Sequence, residues 1–340
     1  MKKTRLFMSM LLIFTISVLA ACGNQTSSDE GDAGAEQEGQ SYTFKLGHEA
    51  QETHIKHMVA EKFKEELESK SDGRMTVDLF PATQLGNEKD MVQQLETGSL
   101  DFALISNGYM SSRSESLNGW FMPFLFENLE EGAEARKGEA AKEMLTELES
   151  QNLIGFDVFF AGGRHILMKS DSVESVDDLE GKKIRIPGSP VFEAYWSKTG
   201  AGPTPMPLPE VYTSLQTGVI DGVDVDLDAL LSQKYYEIGK NLTLSNHMIF
   251  PEVALGSKAV FDKLSEEDQQ IVREAMDAAV EWGVQEGVKL ENSRVDEIKE
   301  QGVNVTTLSD ADKLEPIITE IYNEYSEKSP VIKSFIEENQ

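Results

Sequence analysis

The feature that most constrains the fold is an internal echo. Leu95-Glu96-Thr97-Gly98-Ser99-Leu100-Asp101 is matched by Leu215-Gln216-Thr217-Gly218-Val219-Ile220-Asp221. Each copy closes a helical stretch, places a Gly where a helix C-cap needs a left-handed residue, and opens a strand. Either the match is coincidental or the chain holds two similar α/β lobes, each built around a helix-Gly-strand unit. The length of 340 residues suits about two domains at roughly 100–200 residues each. Ligands of open α/β sheets sit at the carboxyl ends of strands, which directs attention to Ser106 and Asn107 after the first copy, and to Asp224 and Asp226 after the second.

The rest of the chain from Ser41 alternates strand and helix patterns, which argues for an α/β class with largely parallel sheets. Tyr42 to Gly47 reads as a strand. Residues 54 to 69 read as a helix with Ile55, Met58, Val59, Phe63 and Leu67 on one face. Asp72-Gly73 turns into a strand from Met75 to Phe80. Gly155 to Phe160 is a strongly apolar strand, and Ala161-Gly162-Gly163 a flexible joint before Arg164. Phe250-Pro251-Glu252 is a second plausible crossover. Residues 265 to 300 carry the longest helical pattern, capped by Ser265, with Gly302 just past its end and a possible bend near Gly283 or Gly287. At 1.5 Å per residue it would reach about 54 Å, enough to run across both lobes. A final amphipathic stretch, Ser309 to Ile336, packs through Leu314, Ile317, Ile318 and Ile321.

The N-terminus reads as an address. Lys2, Lys3 and Arg5 precede the apolar run Leu6 to Leu19, which is too short for a membrane span of about 20 residues. The chain's single cysteine follows in Leu19-Ala20-Ala21-Cys22, similar to a bacterial lipobox, so residues 1–21 are expected to be a signal peptide and Cys22 a lipidated residue. Residues 22–40 should be a disordered tether, since they offer little apolar surface to bury. The net charge of −29, which would become about −32 once Lys2, Lys3 and Arg5 leave with the signal, disfavours nucleic acid or an anionic lipid face as a partner.

No G-x-S-x-G, G-x-G-x-x-G, P-loop or H-E-x-x-H is present, so no cofactor, catalytic residue or metal site is expected. His48, His54 and His57 are read as ordinary histidines near a helix start rather than a metal cluster. Asp224, Asp226 and Asp228 imitate a calcium loop but lack its Gly and its closing Glu, with Ala229 and Tyr235 in those places. The informative segment is Lys182-Lys183-Ile184-Arg185-Ile186-Pro187-Gly188-Ser189-Pro190, a strand running into a helix with Ser189 as N-cap. An Arg at such a place either grips a carboxylate in a two-toothed pair or is neutralised by one of the chain's own acids.

Several motifs, in order, resemble the DctP family of extracytoplasmic solute-binding proteins that serve TRAP transporters. They are Lys45-Leu46-Gly47-His48, Phe80-Pro81 with Gln84-Leu85-Gly86, Pro123-Phe124-Leu125-Phe126, Asp178-Leu179-Glu180-Gly181 running into the Arg185 segment, Gly202-Pro203-Thr204-Pro205-Met206-Pro207, Glu210-Val211-Tyr212, and Lys234-Tyr235-Tyr236-Glu237. The resemblance, over about residues 41 to 330, implies a two-lobed periplasmic-binding-protein-like fold of type II style, closing over a small organic anion that is delivered to membrane permease subunits. It suggests residues 41–162 plus about 251–285 for lobe I and 163–250 plus about 286–340 for lobe II. It assigns the carboxylate clamp to Arg185, with Arg164 assisting. This chain departs from the family pattern after Asp221-Gly222, where Val225 replaces the ligand-contacting Asn.

Strand alternation puts Asp224 and Asp226 on one face, where they would accept from ligand hydroxyls. That favours sugar acids such as uronates or aldonates over C4-dicarboxylates or an ectoine-like zwitterion. The expected ligand contacts are therefore Arg185, Arg164, Asp224, Asp226, Asn107, Glu49, Tyr212 and Trp120, with Phe121 and Phe124 as further aromatic candidates that equally suit a core. Two other readings remain open: a surface lyase or hydrolase using Asp224 and Asp226 as acid and base, and a sensor lobe that reports occupancy to a kinase.

Overall fold

Phe44 and Leu46 are buried while Thr43 and Lys45, which alternate with them, are exposed, the period-two pattern of a strand with one covered face. The computed structural model describes residues 40–340, so the signal peptide, Cys22 and nearly all of the tether lie outside the described residues. The strands are β1 (Tyr42–Gly47), β2 (Met75–Phe80), β3 (Phe102–Ser106), β4 (Leu153–Gly163), β5 (His165–Met168), β6 (Lys183–Ile186), β7 (Gly202–Pro205), β8 (Gly222–Val225), β9 (Asn241–Leu244), β10 (Ile249–Ser257) and β11 (Asn304–Thr307). They form two sheets, ordered β2-β1-β3-β10-β4 and β11-β9-β5-β8-β6-β7.

The echoed segments do the same job in each sheet. Gly98 and Gly218 end the helices Glu88–Thr97 and Val211–Thr217 in the left-handed region, with φ of 75° and 78°. The strands that follow, β3 and β8, sit inside their sheets rather than at an edge.

The sheets are mixed rather than largely parallel. β10 runs antiparallel to both β3 and β4, and β5 runs antiparallel to β8 and β9. The reason is traffic: β4 carries the chain out of the first sheet into β5, and β10 brings it back after β9. Ala161-Gly162-Gly163 belongs to β4 itself, and Phe250-Pro251-Glu252 lies within β10 at a register shift. The chain changes sheets at Arg164 and again over residues 245–248, and the two crossings are tied by Arg164 N donating to Met248 O at 2.8 Å.

The long helix is Glu266–Glu300, with the Ser265 hydroxyl accepting from Asp268 N at 3.1 Å. Its 35 residues extend about 52 Å. It packs on the helix Ile55–Lys70 and on β4 at one end, and on the helix Leu227–Ser232 and β11 at the other, so it contacts both lobes. Its glycines serve close approach: a Cβ at Gly287 would stand 2.9 Å from the Phe160 carbonyl oxygen, and one at Gly283 would strike Val59. The C-terminal stretch breaks at Ser329-Pro330 into the helices Glu315–Lys328 and Pro330–Asn339. The second of these lies against residues 115–121 and 139–146. No described helix is long and apolar enough to cross a membrane.

Candidate functional site

Between the sheets lies a cavity of about 50 Å³. The first sheet's side contributes Glu49, His54, Lys56, Glu88, Ser106, Phe250 and Glu252; the second contributes Arg185, Pro187, Gly188, Met206 to Leu208, Val225, Asp226 and Ala229; Arg164 comes from the crossing between β4 and β5. In the measure where one water needs about 10–15 Å³, this holds on the order of four waters, too little for anything of sugar size.

Arg185 projects from β6, which is held between β7 and β8. It is buried, and its Nε and Nη2 donate to the Met206 carbonyl at 3.1 and 2.9 Å. Among the described residues no carboxylate lies within ion-pair distance of it. Burial pulls its proton affinity below the ordinary guanidinium range, yet a guanidinium keeps its charge in proteins. The result is a buried positive charge held by one neutral carbonyl, which is unfavourable until an anion arrives.

Arg164 is the opposite case. Its Nε donates to Asp224 Oδ1 at 2.5 Å and its Nη1 to Asp226 Oδ2 at 2.8 Å, and its face lies over Phe250, 4.4 Å from the ring centroid. Asp224 has a further duty on its other oxygen, which takes Trp196 Nε1 at 2.7 Å and His247 Nε2 at 2.8 Å. Burial alone would push Asp224 up, but Arg164 and His247 pull harder the other way and hold it at about 2. Asp226 Oδ1 caps the helix Leu227–Ser232 by accepting from Ala229 N at 2.7 Å.

Asp224 and Asp226, expected to receive ligand hydroxyls, are thus engaged within the protein, and of the two only Asp226 lines the cavity. Alternation did place them on one face, but that face is occupied by Arg164, and Asp224 does not line the cavity at all. The same engagement leaves neither of them free as a catalytic acid or base. Arg164 lines the cavity with its charge already matched by two carboxylates.

Three other expected contacts lie elsewhere. Trp120 is 1 % exposed and packs on Phe126, Phe160 and Phe335, with ring centroids 6.0, 5.8 and 4.7 Å away, so it is a core aromatic. Asn107 is fully buried and donates to Leu117 O at 2.9 Å, outside the cavity wall. Tyr212 lies away from the cavity, its hydroxyl on Glu237 Oε2 at 2.7 Å. Phe121 stacks on Phe250 behind the wall, and Phe124 is likewise not part of it. Glu49, at the carboxyl end of β1, does line the cavity.

The wall also holds residues that sequence reasoning passed over. Lys56 lies in the first turn of the helix Ile55–Lys70, buried, with Nζ 2.8 Å from Glu252 Oε2 and 3.8 Å from Glu88 Oε1. Burial alone would lower its proton affinity, but Glu252, Glu88 and Glu49 together raise it. Glu252 is itself pushed up to about 7 by burial, against the pull of Lys56. Glu88 accepts from Ser106 N at 2.5 Å and from its hydroxyl at 2.8 Å. His54 caps the same helix, its Nδ1 accepting from Lys56 N at 3.0 Å, and burial lowers its proton affinity against the pull of Asp228 and Asp226. No group of three metal-ligating side chains occurs among the described residues.

The comparisons with known proteins agree on the setting. Residues 46–328 match the model of DctP, bacterial extracellular solute-binding protein, family 7. A solute-binding protein of Chromohalobacter salexigens is 31% identical over 285 residues, covering 82% of this chain and 83% of that one. A TRAP periplasmic solute-binding protein of Xanthobacter autotrophicus, solved with bound β-D-galacturonate, superposes with a TM-score of 0.81 at 29% identity, over 87% of this chain and 98% of that one. Another, from Chromohalobacter salexigens with bound D-glucuronate, gives 0.81 at 28% identity, over 87% and 99%.

Proposed function

The chain belongs to the DctP family of TRAP-transporter solute-binding proteins, a family of binding proteins rather than enzymes, and from that premise we propose that it captures a hydroxylated monocarboxylic acid of the uronate or aldonate type and passes it to membrane permease subunits. The observation that carries the reading is the contrast between its two buried arginines. Arg164 is matched by Asp224 and Asp226, whereas Arg185 lines the same cavity with no acid in ion-pair contact among the described residues. One uncompensated charge asks for one carboxylate, which a guanidinium can hold by two parallel hydrogen bonds.

The opposite wall explains the preference for hydroxyls. A second ligand carboxylate, as in a C4-dicarboxylate, would face Glu49, Glu88 and Glu252, whose one cation, Lys56, is already shared. Hydroxyls suit that wall because they donate to carboxylates and accept from the lysine. The hexuronates held by the two related structures have this make-up. An ammonium group would also find the glutamates, so a zwitterion is the competing ligand class.

Calorimetric titration of the purified protein tests the reading. D-galacturonate, D-glucuronate and an aldonate should bind, and the corresponding neutral sugars should not. Succinate or malate binding as tightly as the uronates would refute it, and competition by a cyclic zwitterion would move the assignment to that class. Cys22 as a lipid-bearing residue is part of the proposal: its replacement, Cys22→Ser, should release the protein from the membrane fraction and abolish labelling by a fatty acid.

A further inference from the structure

We propose that Glu49 stands in the cavity as a neutral carboxylic acid and donates a hydrogen bond to an oxygen of the bound sugar acid, so that capture depends on one proton held by the receptor. This rests on the sugar-acid reading and names the donor that reads the ligand opposite Arg185.

The geometry makes the case. Three glutamates line the first lobe's wall: Glu49 after β1, Glu88 at the start of the helix Glu88–Thr97, and Glu252 on β10. They share a single lysine. Lys56 Nζ reaches Glu252 at 2.8 Å and Glu88 at 3.8 Å, and Glu88 also has the Ser106 amide and hydroxyl. Among the described residues Glu49 forms no ion pair, and its Oε2 is buried without a hydrogen-bond partner. A carboxylate left in that position would be a desolvated charge beside two others, whereas a protonated carboxyl is a donor with no acceptor in the protein.

Every charged or titratable group around it bears on the balance. Burial first and then Glu88 push the Glu49 proton affinity up, Glu252 adds to them, and Lys56 and Arg185 oppose; the outcome is about 8. Burial holds the proton of the neighbouring Tyr235 in place, so it adds no negative charge. The adjoining His48 is driven down to about 2 by burial and by Lys56, so it brings no positive charge. When the ligand carboxylate lands on Arg185, the attraction Arg185 exerts on an ionised Glu49 is spent on the ligand, which holds the proton more firmly. Once ionised, Glu49 can only accept, and it repels the acid group it faces.

The test compares wild type with Glu49→Gln, an isosteric residue that donates without titrating. With D-galacturonate and D-glucuronate as probes, wild-type affinity should fall about tenfold between about pH 7 and pH 9, as expected for loss of one required proton near 8. The Gln variant should bind within about threefold of wild type at pH 7 and lack that component of the decline. Glu252 titrates in both proteins, so the difference between the two pH slopes, not either slope alone, reads Glu49. Equal pH slopes in the two proteins would overturn the role of Glu49, whereas failure of the wild type to bind any probe at any pH would overturn the sugar-acid reading itself. Infrared spectroscopy gives a readout free of ligand: at pH 7 the wild type should show a protonated-acid carbonyl component, over and above that of the half-protonated Glu252, that is missing from Glu49→Gln. Its absence from the wild type would refute the proposal.

Discussion

Replacing each buried arginine by methionine, which has a similar reach and no charge, should produce opposite signatures. In the free protein Arg185 has only the Met206 carbonyl as partner. A buried ion without a counter-ion costs several kcal/mol. Arg185→Met therefore removes a liability and should raise the melting temperature, by about 2–4 °C for each kcal/mol relieved if a lobe-sized unit of 150–250 residues melts. The same change removes two charge-assisted hydrogen bonds to the ligand. At about 1.5–3 kcal/mol each that is about 3–6 kcal/mol, or roughly 10²–10⁴ in Kd. Arg164→Met does the reverse: it strands Asp224 and Asp226 in the interior, at a cost of about 3–5 kcal/mol. Scanning calorimetry with and without a hexuronate reads both effects. A ligand at about 100 Kd adds about 2.7 kcal/mol to the wild type and should add almost nothing to Arg185→Met. An Arg185→Met protein that melts lower than Arg164→Met, or one that keeps wild-type affinity, would refute the division of labour between the two arginines.

Other outcomes follow from the same contacts. Asp224 is held at about 2 against its burial, so it adds stability above its unfolded pKa near 4 that is lost as pH falls toward 2; thermal unfolding followed from about pH 5 to pH 2 should show this loss, and Asp224→Asn, less stable at pH 5, should show a shallower one. Gly287→Ala drives a methyl to 2.9 Å from the Phe160 carbonyl oxygen and should cost about 1–3 kcal/mol in a urea titration, because backbone cannot step aside as a side chain can. Trp120→Ala should lose about 3–5 kcal/mol of stability with the order of ligand preference intact. Tyr212→Phe removes an exposed hydrogen bond to Glu237 and should change neither stability beyond about 0.5 kcal/mol nor Kd.

Local signals carried much of the fold. The Gly98 and Gly218 echo marked two left-handed helix ends, and Ser265 with Gly302 bracketed the long helix. What they could not carry was pairing between distant segments. Nothing within Ile249–Ser257 tells that it will lie antiparallel between β3 and β4, because that depends on where the chain returns from. The site divided in the same way. The Arg185 segment announced itself as a strand running into a helix start, but whether an arginine is matched or unmatched depends on residues some sixty positions away, as Asp224 and Asp226 are from Arg164. Helical periodicity put Lys56 outside the apolar face of its helix; the structure turns that outer face, at the first turn only, into the cavity. Asn107 stands out by its place after a strand and Trp120 as an aromatic fit for apolar contact, and neither property says which direction a side chain takes into the core.

Asp228 leads the argument back to motion. Its carboxylate, on the second lobe, accepts from the Ile55 amide of the first lobe at 2.7 Å and from Arg294 Nη2 of the long helix at 2.7 Å. The amide belongs to the opening turn of the helix Ile55–Lys70, where unsatisfied N–H groups concentrate partial positive charge. Any parting of the lobes would uncork that helix by removing an acid supplied from across the gap. If the proposed capture works by closure, this contact would act as a small electrostatic spring toward the shut position, leaving the ligand to supply the remainder.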